Sequence, residues 1–350
     1  MRKYSLLFLW CLIIAIIIVF LYHRILPTYL VADDYEWWRV VIGLDFIDSF
    51  RLFFPFELGG IELNTYYRPV VGWILWLITV VLPTSPITFH LTSLIFHYIN
   101  ALLVGVIALR SFGHVKAALL ASLLFAVFPF HSEAVNYIMY NTVMTTFYLL
   151  SFISVIRYSR TRSIMWAGIA CVTFLLALMS FDSAMTLPLT AILFLLIYQR
   201  INLKMFHRQY KYFLLSLFFV FCVYFIIRSI VMHTANPYAS TGYMNASFAI
   251  NNVFKLYCGI LVILFTLRIF AKKLFRTFVI KEHIFWFYCI LLGLLFLPTF
   301  YIPTQERHLY LPSIAFILVL SSFMISLDER LKNANQPIRI ILWATIACII

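Results

Sequence analysis

The sequence predicts an all-α polytopic membrane protein of about 11 transmembrane helices, with a long first extracytoplasmic loop. Three observations predict it. The 350 residues are 64% hydrophobic and only 11% charged, with a mean hydropathy of +0.98, whereas soluble domains are roughly 45–50% apolar and about 25% charged. The apolar runs are long and do not alternate, which favours helices over a barrel, and a backbone in lipid must satisfy its polar groups internally. Finally, Lys and Arg fall into clusters separated by pairs of apolar segments, as helical hairpins require.

Met1-Arg2-Lys3 opens the chain, and the apolar stretch from Tyr4 to Tyr22 is too long for a secretory signal with no small-residue cleavage site behind it; it reads as a retained first span. Basic clusters then mark cytoplasmic turns at Arg110–Lys116, Arg157–Arg162, Arg200–Lys211, Arg268–Lys281 and Arg330–Arg339. The opposite hairpin tips are expected outside: the first outer loop 27–68, His131-Ser132-Glu133, Phe181-Asp182-Ser183, the loop 233–251, and 304–308. Acids, which were not used to draw this map, agree with it. Of 13, only Glu282, Asp328 and Glu329 fall inside, and seven sit in the first loop. Val70–Leu82 is apolar but short for a span, so it is expected to dip in or lie at the interface, anchored by Trp73 and Trp76. The last helix, from Ile340, stops at Ile350 and reads as incomplete. The chain, 1–350, is expected to form one membrane-embedded domain.

The net charge of +13 has its ordinary source in cytoplasmic loops and gives no reason to expect nucleic acid. The six cysteines lie inside apolar runs, without CxxC or metal spacing. Asp33, Asp34 and Glu36 could hold a divalent cation, but no complete ligand set is visible, and no metal or other cofactor is assigned.

The remaining polar chemistry gathers on the outer face. Asp33-Asp34 follows the first span directly; it is either a solvated loop start or a carboxylate held over the bilayer as a base. His131 and Glu133 end a span, as interfacial capping or as part of a site. Asp182 is either an N-cap or a supporting acid. In Gln305-Glu306-Arg307-His308, Arg307 offers a planar fork suited to phosphate, or else a structural ion pair.

Taken in series, Tyr67-Arg68-Pro69, Phe89-His90-Leu91 with His97, Pro129 and His131 before Glu133-Ala134-Val135, Leu187-Pro188 after Ser180, and Glu306-Arg307 before Leu309-Tyr310-Leu311-Pro312-Ser313 resemble the transmembrane and tetratricopeptide-repeat-containing O-mannosyltransferases and their bacterial relatives. These sit in the wider GT-C class of membrane glycosyltransferases. The resemblance implies a GT-C-like fold and Asp33 and Asp34 as catalytic acids, with a slight preference for Asp33. Arg307, His131 and His308 would bind the donor phosphate, supported by Glu133, Asp182 and Glu306, while Tyr67 and Arg68 would serve the acceptor or loop. Two departures stand out: Phe181-Asp182 replaces a Lys-Glu pair, and Tyr140-Asn141 replaces Gly-Arg.

The expected activity is inverting transfer of a hexose, mannose among the candidates, from a polyprenyl-phosphate carrier to a hydroxyl of a protein or glycan, among membrane lipids. The membrane is expected to be the bacterial cytoplasmic one with the active face outside, or the endoplasmic reticulum with that face in the lumen. Other classes fit less well. A lipid-linked glycan flippase would favour polar groups at mid-membrane. A glycan polymerase or ligase would carry its largest outer loop centrally. A non-catalytic descendant of the same class would keep the fold alone.

Overall fold

The computed structural model describes residues 2–30, 33–54, 67–137, 139–231, 281–300 and 305–331, with residues 259 and 262. Among these residues all regular structure is helical. The helices are α1 (Arg2–Tyr22), α2 (Asp33–Val41), α3 (Phe46–Phe50), α4 (Pro69–Val81), α5 (Pro86–Phe112), α6 (Val115–Ala126), α7 (Ser132–Asn136), α8 (Tyr140–Thr161), α9 (Ile164–Leu178), α10 (Leu187–Leu193), α11 (Leu203–Val231), α12 (Glu282–Phe296) and α13 (Pro312–Leu331). The loop 233–251, Glu57, Glu62 and the helix expected from Ile340 lie outside the described residues.

Local signals explain several boundaries. Ser85 caps α5 by accepting the Thr88 amide, Pro86 opens the helix, and Gly113 closes it at φ 72, a left-handed conformation that glycine adopts freely. Pro188 and Pro312 likewise sit in the first turns of α10 and α13. Among the described residues, three helices are long and apolar enough to cross a membrane unaided: Pro86–Phe112, Leu203–Val231 and Glu282–Thr299. Val115–Ala126 and Pro129–Asn136, bent by 55°, make a fourth as a pair. Leu7–Tyr22, Ile164–Leu178, Asp182–Tyr198 and Pro312–Ser326 are apolar but shorter. The expected count of about 11 spans is therefore only partly visible among the described residues.

The reason is clearest in α8. Its 22 residues include Thr142, Thr145, Thr146, Ser151 and Ser154, all buried. It is a central helix surrounded by α5, α9 and α10 rather than by lipid. Several of its polar groups bond to those neighbours: Thr146 donates to Asn100 Oδ1 at 2.7 Å, Ser151 to the Ala170 carbonyl at 2.7 Å, and Tyr148 Oη lies 2.7 Å from Thr190 Oγ1. In an apolar surround each such group would cost free energy if left unbonded.

The 13-residue α4 is about 20 Å long, short of the ~30 Å hydrocarbon core. Trp76 Nε1 donates to the Leu44 carbonyl at 3.0 Å. Phe46 and Phe50 lie 6.0 and 6.4 Å from the Trp76 and Trp73 rings. The helix is thus packed on the helices of the segment 33–54.

Ion pairs join helix ends at both ends of the bundle. Lys116 reaches Asp328 (3.7 Å) and Glu329 (3.9 Å), all at the basic end of the helices. Asp182–Arg228 (2.8 Å) and Glu133–Arg307 (3.6 Å) lie at the other end. Close packing holds α5 to α6 at Gly105, where a side-chain methyl would collide with Ser122 Oγ and stand 3.1 Å from the Ala118 carbonyl oxygen. Gly105→Val is expected to lower stability by about 1–3 kcal/mol, seen as a lower melting midpoint in detergent. An unchanged midpoint would mean that the two helices do not approach this closely.

Candidate active site

Six side chains from four segments meet at the start of α8. The Arg68 guanidinium lies 4.2 Å from the centre of the Tyr140 ring and 4.7 Å from that of Phe181. Arg307 lies 5.6 Å from the same Tyr140 ring and 3.9 Å over Tyr137. His308 stacks on Phe181, centroids 5.6 Å apart at an interplanar angle of 12°. Arg68, Arg307 and His308 are all buried. Stacking against aromatic faces offsets part of the cost of enclosing the two guanidinium groups.

Elements around the cluster fix it. The Val70 amide donates to the Met179 carbonyl at 3.3 Å, tying the first turn of α4 to the end of α9. Glu133 on α7 accepts the Arg307 backbone amide at 2.9 Å and stands 3.6 Å from its Nη1. At that distance the side chains form an ion pair without a hydrogen bond. Nε and Nη1 of Arg307 are buried and have no hydrogen-bond partner among the described residues, as is also true of His308 Nδ1 and Asn141 Nδ2. Burial works against the charge of Arg307, but Tyr140, Tyr137 and Glu133 outweigh it and raise its pKa. Burial, then the charges of Arg307 and Arg68, push His308 down to about 3. It is neutral at physiological pH and is no third cation. The α8 N-terminus carries no side-chain cap, and the positive end of the helix dipole adds to the two guanidinium groups.

A second group adjoins the first. Asp182 accepts from Arg228 Nε at 3.1 Å and Nη2 at 2.8 Å, and from the Tyr224 hydroxyl at 2.7 Å. The side chain of Asp182 makes no cap bond at its own helix start, so its role is to bind the end of α11 to the turn after α9. Tyr224 packs 6.1 Å from Tyr67, whose hydroxyl donates to the Phe53 carbonyl at 3.0 Å. Burial raises Tyr67 to about 12, which keeps it protonated. A double-mutant cycle with Asp182→Asn and Arg228→Gln is expected to give a coupling on the order of 1–3 kcal/mol in unfolding free energy. Additive effects would show that the two do not hold each other.

The structure sorts the sequence candidates. Arg307, His308, Glu133 and Arg68 come together. Arg68, expected to serve the acceptor or loop, shares the Tyr140 ring with Arg307. Glu306 is exposed, and the acid beside Arg307 is Glu133. Both ring nitrogens of His131 are engaged elsewhere: Nδ1 with the Phe125 carbonyl at 3.0 Å and Nε2 with Ser313 Oγ at 2.7 Å. Neither is available to a phosphate, and His131 joins α6 to the start of α13. Asp34 is fully buried on α2, and α2 packs against α4, the helix that begins directly after Arg68. The backbone of Asp33 opens α2. Arg228 was missed, because it stands alone near the end of a span, outside every basic cluster; its solitary charge was the available signal. Phe181, read as the loss of a cation, is the ring on which Arg68 and His308 rest.

Together the apolar helices define a polytopic helical membrane protein, with two arginines buried at one end of its bundle. Residues 68–227 match the family described as dolichyl-phosphate-mannose-protein mannosyltransferase. The chain is also similar to Protein O-mannosyl-transferase TMTC3 of Homo sapiens, 35% identical over 120 residues. That match covers 32% of this chain and 12% of the human protein, so the chain matches only a small share of that relative's length.

Proposed function

We propose that the protein transfers a hexose of the mannose class from a polyprenyl-phosphate carrier to a hydroxyl of a protein or glycan, with inversion at the anomeric carbon. The observation that carries the reading is the pair Arg68 and Arg307 on one Tyr140 ring at the α8 N-terminus, with Arg307 Nε and Nη1 buried and unbonded. Unmatched buried donors of this kind suit the oxygens of a phosphodiester. Glu133 offsets one of the two positive charges, and the remainder matches a single negative charge. Arg68, Arg307 and Asn141 are the phosphate-binding residues in this reading. Glu133 and Asp182 are positioning acids.

Asp33 or Asp34 accepts the proton of the acceptor hydroxyl. The hydroxyl oxygen attacks the anomeric carbon, the bond to the phosphate oxygen breaks, and its electron pair stays on the phosphate beside the arginines. A phosphate leaves without being protonated, and neutral His308 is in no position to supply an acid. The active end of the bundle faces outside, or into the lumen of the endoplasmic reticulum. Purified protein, given a panel of radiolabelled polyprenyl-phosphate sugars and an acceptor mixture, is expected to transfer one of them. Release of free sugar phosphate without transfer, or no turnover with any donor, would remove this reading.

A further inference from the structure

Away from the arginine cluster, α10 and α11 enclose a groove of about 440 Å³ that opens to the side of the bundle. Its walls are apolar, with Pro188 and Ile192 on one side and Phe218 and Phe221 on the other. The polar residues that line it are His207 and Lys211, both at one end. The depth of that end is fixed by a neighbour. Arg162, at the α8–α9 turn, donates to the Gln209 side chain and covers the Tyr210 ring at 3.7 Å. Lys211 is therefore level with the turn at the basic end of the bundle, where Arg208 and Lys204 stand on the same helix. From Lys211 to Phe221 the helix rises about 15 Å, half of the ~30 Å hydrocarbon thickness. The groove thus has the length of one leaflet, an apolar body and a cationic mouth at the leaflet's surface.

We infer that this groove holds one acyl chain of an anionic glycerophospholipid from the leaflet at the Lys211 end, with the lipid phosphate on Lys211 and His207. The carrier of the sugar donor is the competing occupant. Its phosphate would lie at the other end of the bundle, where the groove ends in Met185 and Phe221 and, among the described residues, is lined by no cation.

The test uses the full chain in nanodiscs holding dioleoyl phosphatidylglycerol and dioleoyl phosphatidylcholine in equal amounts, released and weighed by native mass spectrometry. The expected result is one retained phosphatidylglycerol, favoured about fivefold over phosphatidylcholine. Lys211→Glu, at an exposed position, should abolish the preference without changing the melting midpoint. Ile192→Trp, which fills the groove, should reduce retention of both lipids. Equal retention of the two lipids by the wild type, or full retention by Ile192→Trp, would overturn the inference. Displacement of the bound lipid by polyprenyl phosphate would overturn it too, and would give the groove to the carrier. Sugar transfer does not enter the readout, so the outcome is separate from that of the proposed activity.

Discussion

Asp34→Asn is expected to reduce sugar transfer by about 10²–10⁴-fold, the usual range for general-base assistance, while expression, melting midpoint and donor binding stay near wild type. Asparagine keeps the shape of the side chain but accepts no proton. Asp34 is fully buried on α2, and α2 rests on α4, which starts beside Arg68. Asp33→Asn is to be measured with it, because the adjacent pair leaves two candidates for the base. Asp48→Asn is the control: its carboxylate is exposed and paired with Arg51 at 3.1 Å, and such surface pairs contribute little. Its effect should be a few-fold at most. Near-normal turnover in both Asp33→Asn and Asp34→Asn would end the catalytic assignment. A matching fall in melting midpoint and activity would instead make the pair structural.

Arg307→Ala is expected to lower turnover by about 10²–10³-fold, as for loss of a donor that stabilises developing negative charge. The turn around it should survive, because Glu133 accepts the backbone amide of residue 307 rather than only its side chain. Arg307→Lys keeps the charge but loses the planar fork, and should fall between the two, with its larger effect at limiting donor. Arg68→Ala is expected to resemble Arg307→Ala, since both face Tyr140. Phe181→Leu, which removes the ring beneath Arg68 and His308, should raise the KM for donor more than it lowers kcat. If the arginine variants keep wild-type transfer at limiting donor, the cluster is a structural cation–π assembly and not a phosphate site.

The sequence by itself determined the solvent, the helical class and the grouping of charged ends. Lys116 with Asp328, and Glu133 with Arg307, meet at opposite ends of the bundle as the charge pattern requires. That much is legible because a membrane imposes a one-dimensional constraint: long apolar segments and charges sorted by side follow from composition along the chain. Short motifs also carried the family resemblance, and with it Arg68, Glu133 and Arg307.

The tertiary structure alone decided how these groups are used. Asp182, open to a capping role in the sequence, pairs with an arginine 46 positions away. Glu133, rather than neighbouring Glu306, stands beside Arg307. His131 spends both ring nitrogens on Phe125 and Ser313, and Phe181 offers a surface on which Arg68 rests. The polar residues of α8 are tolerated because other helices, not lipid, surround them. Each outcome depends on which helix ends meet in space. Buried cations and hydroxyls take their meaning from the partners that desolvation forces upon them, and those partners are not neighbours along the chain.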